Sequence, residues 1–376
     1  MINYIKTMEN CREFLNRGSR RKLAFENMAK SNCSGFEYTL ESGIAVKLRV
    51  DKGVGFVIFE VYPGITVRGA HQIMTAEYCQ QVCKIPDIGY LAVDPDQGNL
   101  YYHAESCFED NPISVSLLEK MEAEAINTLD KHVPVLECLA YGKLPDWNLF
   151  SKLTHANTDD THCLYTAAEQ EMLEKNISAI RKHISFCGHN VVACNMDMDS
   201  NVPFFVETMT KNDRYRDYFY IENGFLVRAA RIDVKCADVF RTQAAQFANE
   251  ASDEKKVGFL KIGEDGYPYC MVASYLMDGP NPISSDTLEK MEQVAYTFLH
   301  VSEKKLRYIC NGVLPPKDDD EEDSGPSGIA KGLLHHLMGS SQKPDQDDDD
   351  SHTPRSLLDL LASMESDSDT EDNTDE

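Results

Sequence analysis

The chain has 376 residues, enough for two or three domains of ordinary size, and carries 62 Asp and Glu against 37 Lys and Arg, a formal charge of −25. From Lys317 to Glu376 there are 19 acidic and 4 basic residues, which leaves 43 acidic and 33 basic in the rest: a mildly acidic body with a strongly acidic tail. An acidic body without a basic stripe argues against a binder of nucleic-acid backbone, no apolar run reaches the ~18–20 residues of a membrane span, and Met1–Arg12 lacks a signal-peptide core.

Twelve cysteines without a Cys-x-x-Cys pair read as buried or surface thiols in a cytoplasmic protein rather than as a disulfide framework. In chain order, the pattern predicts a helix around Cys11 to Lys30. Three strands follow, Gly35–Leu40, Ile44–Val50 and Phe56–Tyr62, on the alternation of Ala45–Val50 and the β-branched and aromatic content of Phe56–Phe59. A helix spans His71–Lys84, and a hairpin joins Gly89–Val93 to Leu100–Phe108 through Pro95–Gly98. The second half predicts a helix over Leu164–Ser185 and strands at Asn190–Asn195, Pro203–Thr210 and Asp217–Ile232. A helix over Cys236–Ala251 follows, and a hairpin from Val257–Ile262 to Tyr269–Leu276.

The two halves are related. Asn111-Pro112-Ile113-Ser114 recurs as Asn281-Pro282-Ile283-Ser284, Glu119-Lys120-Met121-Glu122 as Glu289-Lys290-Met291-Glu292, and Gly142-x-Leu144-Pro145 as Gly312-x-Leu314-Pro315, with 15 identities in 35 positions at a constant offset of 170. Ser114 and Ser284 are natural N-caps. Leu118, Met121, Ala125, Leu129 and their counterparts Leu288, Met291, Ala295, Leu299 form helical core faces. Pro134 is expected to end or kink the first of these helices. Four segments result: a first copy over 1–145, a linker over 146–163, a second copy over 164–316, and a disordered acidic tail over 317–376.

The order of elements, the Gly-turned hairpins (Pro95–Gly98, Glu264–Gly266), the polar turn and the long terminal helix resemble the YbjN family, bacterial sensory transduction regulators, and the type III secretion chaperone-like fold. The resemblance implies an α+β architecture in two tandem copies, each α-β-β-β-α-β-β-α, and a protein-binding role. It supplies no catalytic residue.

Motifs for chemistry are sparse. Cys79 and Cys83 at i and i+4, with His71 two turns earlier, place two thiols on one helix face, more simply core filling than a metal edge. His155, His162 and Cys163 with Asp159 and Asp160 crowd the linker without a second half at metal-ligand spacing. Asp94, Asp96 and Gly98 form a calcium-loop fragment whose twelfth position, Glu105, falls in a strand. Glu119/Glu289 and Glu122/Glu292 sit at the start of helices, where the dipole explains them. No catalytic, cofactor or metal residue is expected, and no enzyme.

The tail holds two apolar islands at helical spacing among its acidic runs: Ile329, Leu333, Leu334 and Leu337, then Leu357, Leu358, Leu360, Leu361 and Met364 after Thr353-Pro354. Such islands suit helix-in-groove docking, on a partner or on the chain's own domains. The expectation is a non-enzymatic, chaperone-like or regulatory module. It would bind a protein or peptide, neither nucleic acid nor membrane, and remain monomeric because two copies are fused. The alternatives are a metal- or thiol-dependent enzyme or sensor built on His71, Cys79 and Cys83, and an acidic mimic of nucleic acid.

Overall fold

The computed structural model describes residues 2–17, 21–27, 33–83, 89–143, 145–155, 165–196, 203–210, 214–255 and 257–313. The tail over 317–376, with both leucine islands, and linker residues 159, 160, 162 and 163 lie outside them. The elements run α1 (Ile2–Arg17), β1 (Arg21–Asn27), β2 (Cys33–Leu40), β3 (Ala45–Asp51), β4 (Phe56–Tyr62), α2 (His71–Val82), β5 (Gly89–Val93), β6 (Leu100–Cys107) and α3 (Val115–Ala140). A short α4 (Trp147–His155) precedes α5 (Ala167–Cys187), β7 (Asn190–Met196), β8 (Phe204–Met209), β9 (Tyr215–Glu222), β10 (Phe225–Ile232), α6 (Arg241–Lys255), β11 (Phe259–Ile262), β12 (Pro268–Tyr275) and α7 (Ser285–Cys310). The fold is α+β. Among the described residues no helix is long and apolar enough to cross a membrane, and the eleven cysteines there are free.

Each half has four strands before its middle helix, not three. The expected helix over Cys11–Lys30 stops at Arg17, and Arg21–Asn27 pairs with β2 instead. In the second half the run Asp217–Ile232 is two strands folded on Asn223-Gly224. Both turn residues have positive φ, 50° and 82°, the backbone that a two-residue hairpin requires and that Asn-Gly tolerates. The linker is not wholly a connection either, since α4 buries Phe150 and Leu153, with the Phe150 ring 5.4 Å from that of Tyr78. Nor does Pro134 end its helix: α3 runs through it, and α3 and α7 are both 26 residues long. Ser114 and Ser284 cap those helices as read, accepting from the Leu117 and Thr287 amides at 3.0 and 3.2 Å.

Each half folds one antiparallel sheet. The orders are β1-β2-β3-β4-β6-β5 and β7-β8-β9-β10-β12-β11, the same topology twice. Strand alternation divides the side chains between two cores. Val57, Phe59 and Val61 of β4 pack under the first half's helices, whereas Phe56 and Ile58 enter the second half's core. Phe225, Val227 and Ala229 of β10 enter the first half's core in return. The sheets therefore face each other, and α2 and α6 pack together across the two halves, where the Thr242 hydroxyl donates to Glu77 at 3.1 Å.

Matching residues meet across this interface. Tyr90 of β5 and Phe259 of β11 stack with centroids 3.8 Å apart, marking a pseudo-two-fold axis. The N-caps are tied crosswise: the Ser114 amide donates to Asp278 at 2.6 Å and the Ser284 amide to Asp110 at 2.9 Å. Asn111 Nδ2 donates to the Asn281 carbonyl at 2.8 Å, and Asn281 Nδ2 to the Asp110 carbonyl at 3.1 Å. Gly279 passes so close to Asn111 that a Cβ would lie 2.6 Å from its Oδ1. Two sheet edges are closed the same way. Gln80 of α2 spans the Leu260 carbonyl and Ile262 amide, both at 3.1 Å, on β11. Asn249 of α6 holds the Val93 amide and carbonyl, at 2.9 and 2.6 Å, on β5. A carboxamide offers one donor and one acceptor, the pair an open strand edge presents. β1 and β7 are the outer edges.

Candidate functional site

Three places gather chemistry. The first lies between the sheets. His103 of β6 is buried between two carboxylates, Nδ1 3.7 Å from Glu60 and Nε2 3.5 Å from Glu105. Arg49 also pairs with Glu60, the Tyr62 hydroxyl donates to it at 2.9 Å, and the Gly258 amide donates to Glu105 at 2.9 Å. Burial opposes the charge on His103, but Glu105 and Glu60 outweigh it and hold its pKa above the ordinary 6.5. Burial likewise works against ionised Glu60, yet the His103 hydrogen bond and Arg49 bring it down to about 2. The cavity beside them, which Tyr90 and Phe259 also line, is about 20 Å³, room for one water. The charged members all stand on β3, β4 and β6 of the first sheet, and the Gly258 amide reaches Glu105 from the second half.

The second is a buried cluster under the helices of the second half. Arg228 of β10 is fully buried and donates to Asp217 at 2.9 Å and to the Tyr296 hydroxyl at 2.9 Å, with Glu292 3.3 Å from its Nη1. His183 and Cys187 of α5 face Glu292: His183 Nε2 is 3.5 Å from Oε2 and 3.6 Å from Cys187 Sγ. His189 stands at the entry to β7, its Nε2 3.8 Å from the other Glu292 oxygen. Burial would raise the Glu292 carboxyl, but His183 and Arg228 keep it below the ordinary range. Burial lowers His189 and, with Glu292 adding to it, raises the Cys187 thiol.

The third is a groove of about 470 Å³ between α5 and β7. Ile177 and Met196 line it together with Glu174, Ser178, Arg181, Lys182 and Ser185. Every residue of β7 is exposed, and Val191, Val192 and Met196 remain 56, 55 and 51 % exposed, with Phe186 of α5 at 82 %. Of these four apolar side chains, Met196 lines the groove.

The residues singled out from sequence fare differently. Cys79 and Cys83 are buried in the first core. Burial pushes the Cys79 thiol well up, and Cys83 Sγ accepts from the Leu91 amide at 3.2 Å. His71 lies against Gly142 at the end of α3. These three form no ligand set; among the described residues the set that does is His183, Cys187 and Glu292. Asp94 accepts from the Asp96 and Gln97 amides, both at 2.9 Å, as a turn-former. The dipole explanation of Glu122 and Glu292 fails, since both lie two turns inside their helices in polar contacts. Arg21 Nη2 meets Glu122 at 2.6 Å and the Tyr38 hydroxyl donates to it at 2.8 Å. The His183–Cys187 spacing was present in the sequence, but the predicted helix closed at Ser185 and left Cys187 outside it.

In comparisons with known proteins, no family model matches the chain, and no curated protein matches it.

Proposed function

We propose that the chain is a non-enzymatic, regulatory polypeptide-binding protein, two YbjN-like copies fused into an internal pseudo-dimer and acting as a monomer. Its docking site is the α5–β7 groove, and the occupant is the chain's own segment Thr353–Met364. The observation that carries the reading is the contrast between sheet edges: β5 and β11 are closed by Asn249 and Gln80, while β7 is exposed along its whole length beside an apolar groove. Leu357, Leu361 and Met364 fall at i, i+4 and i+7, a single helix face that fits such a groove. Asp347–Asp350 before the segment and Glu365, Asp367 and Asp369 after it match Arg181 and Lys182 in charge. The first island, Leu333, Leu334 and Leu337, and the remaining leucines Leu358 and Leu360 stay available to a partner. Reach does not limit the contact, since the 44 residues from Val313 to Leu357 span up to about 150 Å when extended.

Amide exchange on the full chain tests this. In the variant Leu357→Asp/Leu361→Asp/Met364→Asp, β7 and the facing turns of α5 should exchange about tenfold faster than in the parent, with β5 unchanged. Equal exchange at β7 in the two proteins would overturn the reading.

A further inference from the structure

The buried cluster of the second half plays no part in the docking reading, and its geometry points elsewhere. We propose that His183, Cys187 and Glu292 form a binding site for a divalent cation of the zinc class. A tetrahedral ion with bonds of about 2.0–2.3 Å holds its ligand atoms about 3.3–3.8 Å apart. His183 Nε2 is 3.6 Å from Cys187 Sγ and 3.5 Å from Glu292 Oε2, and the three ligand atoms lie within 4.8 Å of one another. One imidazole, one thiolate and one carboxylate suit zinc and exclude calcium and magnesium, which take oxygen ligands.

Charge and hydrogen bonding agree. The single Arg228 guanidinium faces two carboxylates, Asp217 at 2.9 Å and Glu292 at 3.3 Å, which leaves one negative charge for another cation to balance. When the sulfur–metal bond forms, the Cys187 proton leaves to solvent, and the thiolate and Glu292 together balance a doubly positive ion. Glu292 Oε2 is buried and makes no hydrogen bond, its nearest cationic groups being Arg228 Nη1 at 3.3 Å and His183 Nε2 at 3.5 Å; His189 Nδ1, on a side chain only 6 % exposed, makes none either and lies 3.8 Å from Asp217. His189 Nε2 lies 3.8 Å from the other Glu292 oxygen, close enough to orient the carboxylate once an ion is bound.

The first half shows that the fold itself does not require this set. Thr7 and Asn176 occupy matching places, since their side-chain oxygens accept from the Ile113 and Ile283 amides at 3.1 and 2.7 Å. Seven residues further along each helix stand Phe14 and His183. The first half closes this corner with the Phe14 ring under Arg21 and the Arg21–Glu122 pair; the second half puts ligand chemistry in the same space. A cation there joins the end of α5, through His189 the entry to β7, and α7.

Full-length, untagged protein stripped of metal and titrated with zinc and then cobalt(II) tests the site. One equivalent should bind, with a thiolate-to-cobalt charge-transfer band, and zinc should protect Cys187 from alkylation in the parent protein. Cys187→Ser should abolish the band and weaken zinc binding at least about a hundredfold, because loss of a ligand exceeds the 10–100-fold cost of losing an outer partner. Cys194→Ser, at an exposed thiol, should change neither. Uptake far below one equivalent, a band that survives Cys187→Ser, or unaltered alkylation of Cys187 would each overturn the proposal.

Discussion

Glu122 and Glu292 occupy matching places two turns into α3 and α7, and their partners differ entirely. Glu122 is held by Arg21 and Tyr38, Glu292 by His183, Arg228 and His189. Three residues earlier, Glu119 is exposed. Removing one partner of a nearly buried ion pair leaves the other charge uncompensated. Glu122→Gln should therefore lower stability by about 3 kcal/mol, read from the denaturant midpoint, whereas Glu119→Gln should stay within about 0.5 kcal/mol. Equal effects at the two positions would contradict the assignment. The duplication made both glutamates conspicuous in the sequence, but their partners lie 64 to 109 residues away along the chain. Local spacing carries no trace of such contacts. The core face Leu118, Met121, Ala125, Leu129 and its counterpart were legible because helix period alone determines them, and all eight are buried.

Elements show the same division. Strands with clean alternation, such as β3, and the hairpins turning at Gly98 and Gly266 follow from local chemistry. β1 did not, because the stretch from Cys11 to Lys30 offers no period-2 pattern and its pairing with β2 is what makes it a strand. The split of β9 and β10 was readable from Asn223-Gly224, a turn signal hidden inside a long apolar run. Closure of β5 and β11 is wholly tertiary, since Gln80 and Asn249 act on strands 180 and 156 residues away. Asn249→Ala leaves the buried Val93 amide and carbonyl unpaired, at about 1–3 kcal/mol for each group. Exchange at Val93 should rise sharply while Ile262, held by Gln80, stays protected. If both strands loosen together, the two closures are not independent local contacts. If neither does, the hydrogen bonds to Asn249 do not hold β5.

At the scale of the molecule, the buried charge cluster on the first sheet makes stability depend on pH. His103, held above 6.5, contributes stabilisation that is complete below 6.5 and lost as pH rises through its raised folded value. Glu60, held to about 2, contributes stabilisation that is complete above 4.5 and lost as pH falls toward 2. His132, buried against Tyr78, is lowered to about 4 and works in the opposite sense to His103. An NMR titration should find His103 titrating above 6.5 and His132 below it; the reverse order would refute the pairing of His103 with Glu60 and Glu105. Stacked sheets and crosswise ties leave few routes for a partner except the outer edges, and we propose the β7 side for the chain's own leucine segment. The most direct measurement places a photo-crosslinking residue at Val192 in the full-length protein and maps the adducts by mass spectrometry. Adducts concentrated on Leu357–Met364 are expected; adducts confined to other segments, or no intramolecular adduct, would contradict docking of that segment at β7.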